Sequence, residues 1–315
     1  MHATLKLVIV CLLAACGVAA QDASTYFRSG VDLIGLNVVA TDPQGHFVKG
    51  LSSAEFTIFE DGVQQDISFF AVVPAPIDLA LLLDTSASMS DKITTVQQAA
   101  IGFTAVVRPS DRISIVEIKD AVKVLHPLND DVAAARQAIG GTIPRGNTSL
   151  YNAIYVTLKE LMKERRPDGE MRRQAIVVLS DGDDTASLVA FDDLLELAKH
   201  AGVAIYTITI RTSYASRYVF MGNAKSHAES GYAMRALAQE TGARAFFPTT
   251  IMELSGVYDM IADELASQYS VGYVSKNTQR DGAYRRINVR VERPGIRART
   301  RSGYIAGPPT SIVSR

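Results

Sequence analysis

The chain is nearly devoid of cysteine. Of its 315 residues only Cys11 and Cys16 carry a thiol, so everything after position 16 lacks the means to build a disulfide framework or a cysteine metal site. A charge excess of either sign is also missing. Lys and Arg number 32 against 33 Asp and Glu, a formal net charge of -1, which leaves no global electrostatic reason to expect nucleic acid or an anionic membrane surface as partner. No uninterrupted apolar run approaches the roughly 18 residues from which a spanning helix is read. The five histidines, His2, His46, His126, His200 and His227, are scattered without metal-ligand spacing. Gly-x-Ser-x-Gly, Walker-type and Gly-x-Gly-x-x-Gly motifs are absent, so hydrolase and nucleotide readings lose their usual support.

What the chain does have begins with an export-type leader. Residues 1–20 hold Lys6, the apolar run Leu7 to Ala15, then the small residues Gly17, Ala19 and Ala20 before polar Gln21-Asp22, the order of regions in a signal peptide. Two processing routes fit. Val18-Ala19-Ala20 suits cleavage ahead of Gln21, whereas Leu13-Ala14-Ala15-Cys16 resembles a lipobox, with a leader of residues 1–15 and a lipid anchor on Cys16. The expected location is exported: periplasmic, secreted or lipid-anchored to the cell envelope. With 47% hydrophobic and 21% charged residues the body is ordinary globular material, long enough for one large domain and one small one.

From about residue 76 to 268, short apolar runs alternate with helical patterns, the signature of an α/β domain with a largely parallel sheet. The run Leu79 to Leu83 is followed by Ile93, Val96, Ala100, Phe103 and Val107 at helical spacing. Ile113 to Glu117 and Val122 to Leu125 predict a strand pair, and Asp131 to Ile139 a helix. The turn-rich stretch Gly140 to Asn147 precedes a helix carrying Leu150, Ile154, Leu158 and Leu161. Then come a strand at Ala175 to Leu179, a helix near Phe191 to His200 stopped by Gly202, a strand at Val203 to Ile210, a helix from Tyr232, a short strand at Ala245 to Phe247 and a last helix from Ile251 to Ala266. The flanks differ: residues 21–75 and 269–306 show strands and tight turns, and 307–315 a flexible tail. Two or three strands seldom stand alone in water, so the flanks are expected to pair into one small β-sandwich bracketing the α/β domain; two separate add-on sheets are the alternative.

Ligands of an open parallel sheet gather at the carboxyl ends of its strands. Three loops there carry oxygen donors: Asp84, Ser86 and Ser88 after the first strand, Thr148 in the Gly-rich loop, and Asp181 in Leu179-Ser180-Asp181-Gly182. Two carboxylates and three hydroxyls, with no histidine, select Mg²⁺, Mn²⁺ or Ca²⁺ over Zn²⁺. Each of these residues taken singly could instead cap a helix or close a turn. Asp183 and Asp184 suit helix capping, with tuning of the site as the other reading, and Ser90-Asp91 suit a helix start. Tyr214, Tyr218 and Phe220 either flank the site or pack locally. Asn147-Thr148-Ser149 matches a glycosylation acceptor by coincidence. The arginines 285, 286, 290, 293, 297, 299 and 301 suggest a solvated strand face protecting a sheet edge, with a polyanion surface as the alternative.

Asp-x-Ser-x-Ser, a Thr in a Gly-rich loop and an Asp-Gly after a later strand resemble the metal-ion-dependent adhesion site of von Willebrand factor type A domains, over about residues 76–268. The resemblance implies a Rossmann-like, doubly wound sheet. It further implies that Ser86, Ser88 and Thr148 contact the metal directly while Asp84 and Asp181 act mostly through water. An ion bound by neutral hydroxyls keeps much of its charge and can accept an acidic side chain from a protein or surface ligand. The leader, Gly50-Leu51, Glu60-Asp61-Gly62 and Arg301-Ser302-Gly303-Tyr304 resemble exported proteins of soil bacteria of the acidobacterial type. The expected function is therefore a metal-dependent binding module, not an enzyme. The competing reading is a Mg²⁺-dependent phosphoryl-transfer enzyme with Asp84 as nucleophile; such enzymes typically carry a second Asp two residues on, where this chain has Ser86.

Overall fold

The structure, a computed structural model, describes residues 33–73, 75–164, 172–181, 183–210 and 224–307. The leader, Gly182, the Tyr214–Phe220 loop and the chain beyond residue 307 lie outside the described residues.

Eight consecutive buried residues form β5 (Ile77–Asp84), preceded by β1 (Leu33–Thr41), β2 (Phe56–Glu60), β3 (Val63–Gln65) and β4 (Ile67–Ala71). The chain continues through α1 (Ile93–Phe103), β6 (Arg112–Ile118), β7 (Lys123–Asn129), α2 (Val132–Gly140), α3 (Leu150–Lys163), β8 (Arg173–Ser180), α4 (Phe191–Ala201) and β9 (Ala204–Thr209). It then forms α5 (Ala224–Glu240), β10 (Ala245–Phe246), α6 (Leu254–Ala266), β11 (Tyr269–Val274), β12 (Tyr284–Val291), β13 (Arg297–Arg299) and β14 (Gly303–Ile305).

The central sheet runs β10-β9-β8-β5-β6-β7, parallel except for the β6–β7 pair. Because side chains alternate along a strand, β5 feeds two cores. Leu79, Leu81 and Leu83 meet Val96, Phe103, Ile139, Val257 and Ile261 from α1, α2 and α6. Ala80 and Leu82 meet Leu150, Ile154, Leu158, Leu194 and Leu237 from α3, α4 and α5. A strand buried on both faces reads as an unbroken apolar run, which is what 79–83 is. From β5 the chain steps to β6 on one side and later returns to β8 on the other, so the crevice above β5 is a topological switch point.

The flanks form two antiparallel sheets, β13-β1-β11-β4 and β14-β12-β2-β3, each mixing strands from both ends of the chain. Leu33 pairs with Val274 and Val38 with Tyr269, while Phe56 pairs with Val291 and Glu60 with Ile287. Leu36, Val38, Phe56, Ile58, Val271, Tyr273 and Val289 fill one apolar core between them.

A buried polar joint connects these sheets to the α/β layers. Glu264 on α6, fully buried, accepts the Tyr206 hydroxyl at 2.7 Å and pairs with Arg299 of β13 at 2.6 Å. Arg173, at the start of β8, donates to the Leu265 carbonyl at 2.8 Å and to Gln268 at 2.6 Å; burial, then the neighbouring Arg108, brings its guanidinium down to about 10. Gly242 is required here: its φ is +78°, and a side chain would run into the backbone of Thr300 and Arg301.

Several expectations are corrected. The helix expected from Tyr232 starts at Ala224, and the last helix opens with a 3₁₀ turn at Ile251–Glu253. Helix α1 begins at Ile93, beyond Ser90-Asp91, and Ser90 closes a local turn by donating to the Ala87 carbonyl. The arginines do not share one solvated face. Arg286, Arg290, Arg293 and Arg297 are exposed, Arg293 pairing there with Glu55, but Arg285 is buried against Asp281 and Arg299 holds Glu264.

Asp111, just before β6, is 2% exposed and fixes the entry to β5 by accepting from the Ile77 amide at 2.9 Å and from Arg108. Burial pushes its carboxyl up, and the Arg108 and backbone hydrogen bonds outweigh that, leaving it below the ordinary 3.8. A depressed folded value means that its stabilisation is complete above the unfolded range and is lost as pH falls through the folded one. Replacing Asp111 with Ala is expected to cost about 2 kcal/mol at neutral pH through the stranded donors. The deficit should shrink as acid titrates the wild type, and urea denaturation at pH 7 and pH 3 measures both effects.

Candidate metal centre

Three loops converge at the carboxyl end of β5. The first is built around Asp84, which is fully buried. Its Oδ1 accepts the Ser86 amide at 2.9 Å, closing a turn that brings residue 86 back over the strand end. Its Oδ2 accepts the Ser180 hydroxyl at 2.7 Å, tying the ends of β5 and β8 together. Ser86 then starts the 3₁₀ turn Ala87–Met89, which sets its hydroxyl 3.0 Å from that of Ser88. Met89 seals the loop from below, being completely buried.

The second loop, 141–149, lies directly on the first. The Arg145 amide donates to the Thr85 carbonyl at 2.9 Å, and the Ala87 amide to the Gly146 carbonyl at 3.0 Å. Gly146 has φ +76°, and a side chain there would strike the Asp120 carboxylate. Asp120 uses that space to accept from the Asn147 backbone amide at 3.1 Å and side-chain amide at 2.7 Å. Thr148, 4% exposed, follows two residues after Gly146 on this same loop.

The third loop follows β8 and contains Asp181, which is half-buried. Burial raises the Asp84 carboxyl above its ordinary value; the hydrogen bonds from Ser86 and Ser180 pull it down, and the nearby charge of Asp181 adds to the upward push. All five candidates thus sit on three adjoining loops at one end of the sheet, Asp84 and Ser86 interior and Ser88 exposed. Among the described residues no three His, Cys, Asp or Glu side chains gather in one place. A buried carboxylate whose proton affinity is raised by burial and by the nearby charge of Asp181, beside the neighbouring Ser86 and Ser88 hydroxyls, suits a hard divalent cation, which would offset that cost.

The site also uses residues that sequence reasoning passed over. Ser180 holds Asp84, and its only signal was a hydroxyl at the last position of a buried strand. Thr85, inside the Asp-x-Ser-x-Ser motif, donates to the buried Glu117 at 2.9 Å, which Lys119 neutralises at 2.7 Å. Asp184 does cap a helix, but it is α3, 34 residues earlier, through the Leu150 amide at 2.8 Å.

A doubly wound sheet with this loop arrangement defines an A-type domain of the Rossmann-like class. The von Willebrand factor type A domain model matches residues 78–259, more than half of the chain, and the chain belongs to that family. No curated protein matches it. Among solved structures it is similar to a von Willebrand factor type A protein from Catenulispora acidiphila, 10% identical over 91% of this chain and 77% of the other, TM-score 0.50. It is also similar to the von Willebrand domain of the type V pili tip protein Mfa5 from Porphyromonas gingivalis, 13% identical over 60% and 95%, TM-score 0.48. A third is proximal thread matrix protein 1 from the mussel byssus with a zinc-occupied MIDAS motif, 17% identical over 66% and 50%, TM-score 0.49. The chain spans about half the length of the mussel protein.

An ionised Asp84 is a cost to the metal-free fold, because it is buried and has the charge of Asp181 nearby. Asp84→Asn keeps the shape and removes the charge, so the metal-free variant is expected to melt no lower than wild type. Differential scanning calorimetry in chelator tests this, and a fall of more than about 4 °C, on the order of 1–2 kcal/mol for a domain of this size, would show that the charge contributes to folding.

Proposed function

We propose that this chain is an exported, metal-dependent binding module in which Asp84, Ser86, Ser88, Thr148 and Asp181 hold a divalent cation that engages an acidic group on a protein or surface partner. The observation that carries the reading is the convergence of the paired Ser86 and Ser88 hydroxyls, a fully buried Asp84 and the loops of Thr148 and Asp181 at the switch point of the sheet. Ser86, Ser88 and Thr148 supply neutral oxygens. Asp84 is held by Ser86 and Ser180 in a fixed orientation, and Asp181 balances charge from the neighbouring strand. When bound, the cation supplies an open position for a carboxylate oxygen. Oxygen-only donors favour Mg²⁺, with Mn²⁺ or Ca²⁺ as alternatives.

The division of the chain follows the same reading: a leader of residues 1–20, or 1–15 with Cys16 lipidated, an N-terminal β segment to residue 75, the A-type domain at 76–268, and a C-terminal β segment at 269–306 that joins the first. Among the described residues no helix is long and apolar enough to cross a membrane, and the leader supports a periplasmic, secreted or envelope-anchored location. Nothing in the charge balance favours a nucleic acid. We read the chain as a binder rather than an enzyme, and phosphoryl transfer lacks a second carboxylate at position 86.

Isothermal titration of the chelated protein with Mg²⁺ and Mn²⁺ is expected to show one site, abolished by Asp84→Ala without loss of the folded circular dichroism spectrum. Unchanged affinity in that variant would remove the assignment. Turnover of an aryl phosphate that needs Mg²⁺ and disappears in Asp84→Asn would replace binding with catalysis.

A further inference from the structure

The backbone of Thr148 is gripped from one side by the loop that carries Asp181. The Thr185 hydroxyl accepts the Thr148 amide at 3.1 Å, and the amides of Thr185 and Ala186 both donate to the Thr148 carbonyl, at 2.9 and 3.0 Å. The next residues are held by the same loop. Ser149, at the N-cap position of α3, makes no side-chain cap. The helix amides are met instead by Asp184 at Leu150 and by the Ser187 hydroxyl at Asn152, 3.0 Å away, while Ser187 also donates to Asp184 at 2.7 Å. The return contacts run from the Leu188 and Val189 amides to Asn152 Oδ1. Helix α3 is therefore capped by a distant loop, and that loop and the Thr148 loop form one hydrogen-bonded unit.

We infer that Thr185 is a positioning residue for the metal centre: its hydroxyl fixes Thr148 in the ion-binding arrangement before any cation arrives and makes the Asp181 and Thr148 loops move as one. This rests on the metal-site reading above. A site whose competent arrangement is populated only in part binds more weakly by that fraction. Thr148 is almost fully buried, so without the hydroxyl its amide would lack an acceptor, a loss on the scale of one buried hydrogen bond. Thr185 reaches the ion only through Thr148, and its place in the sequence, four residues beyond Asp181, lies outside the motif.

The test uses the full chain with Thr185→Val, which keeps the shape and removes the hydroxyl, Thr185→Ala as a second form should Val misfold, and Thr185→Ser as the conservative rescue. Mg²⁺ affinity by calorimetry is expected to fall about tenfold in Val or Ala, one buried hydrogen bond's worth, and to return in Ser. Amide exchange at Thr148 in chelator should quicken in Val or Ala and not in Ser, with the global melting temperature lowered by no more than the roughly 2–4 °C that one buried hydrogen bond accounts for. Wild-type affinity in Val or Ala, with Asp84→Ala still abolishing binding, would overturn the role of Thr185 and leave the site standing. Unchanged affinity in Asp84→Ala would instead bring down the site reading and this inference with it. A loss of affinity that Ser fails to restore, or that comes with a fall in melting temperature well beyond about 4 °C, would mark Thr185 as a general structural contact and overturn the inference too.

Discussion

A carboxylate buried at the tip of an apolar strand is the constraint on which the upper half of this molecule depends. Leaving Asp84 without partners would be expensive in an interior this dry, and the surrounding structure answers with the Ser86 amide on one oxygen and the Ser180 hydroxyl on the other. Each contact has a structural effect. The first curls the Asp-x-Ser-x-Ser loop over the strand end, and the second fixes the ends of β5 and β8 side by side. The Gly-rich loop then lies on the first loop through backbone hydrogen bonds, and the loop after β8 grips it from the other side. The hydroxyl cluster is the result of satisfying one buried acid.

The far end of the sheet is organised by charge of a different kind. Asp78, buried at the start of β5, takes both Arg112 and Arg172, and Arg173 holds the end of α6 and the approach to β11. Buried ion pairs of this sort are weak evidence for stability in themselves. They do fix geometry: the last helix leads into β11 after two residues, and β11 lies beside β1. The described stretches on either side of the A-type layers, 33–71 and 269–305, meet in the same pair of sheets.

Much of the α/β body was legible in the sequence because its signals are local. The unbroken run 79–83 announced a strand covered on both faces, the spacing of Leu150, Ile154, Leu158 and Leu161 announced α3, and Gly202 marked the end of α4 with a φ of +66°. The motif spacing sufficed to put Asp84, Ser86 and Ser88 on one loop. What escaped were contacts between distant segments. Ser180 on Asp84, Asp184 on α3 and Thr185 on Thr148 have no short-range signature, because the partner lies 34 to 96 residues away. The start of α5 was missed because Ala224 to Gly231 has no apolar stripe. The Arg-rich final strands misled for a related reason. Alternation along β12 correctly put Arg286 and Arg290 outward, but Arg299 lies on a short strand paired with β1, and its guanidinium reaches the buried Glu264 of α6.

The placement of β1 has a mechanical consequence. Tension entering the described body at Leu33 runs along a strand flanked by neighbours: residues 33–38 are laddered to β11, and residues 39–41 to β13 on the opposite side. The two ladders cover successive stretches of β1, so they are loaded one after the other. Since β11 follows α6 after two residues, tension entering at Leu33 meets the strands beside the Glu264 joint before it meets the loops around Asp84.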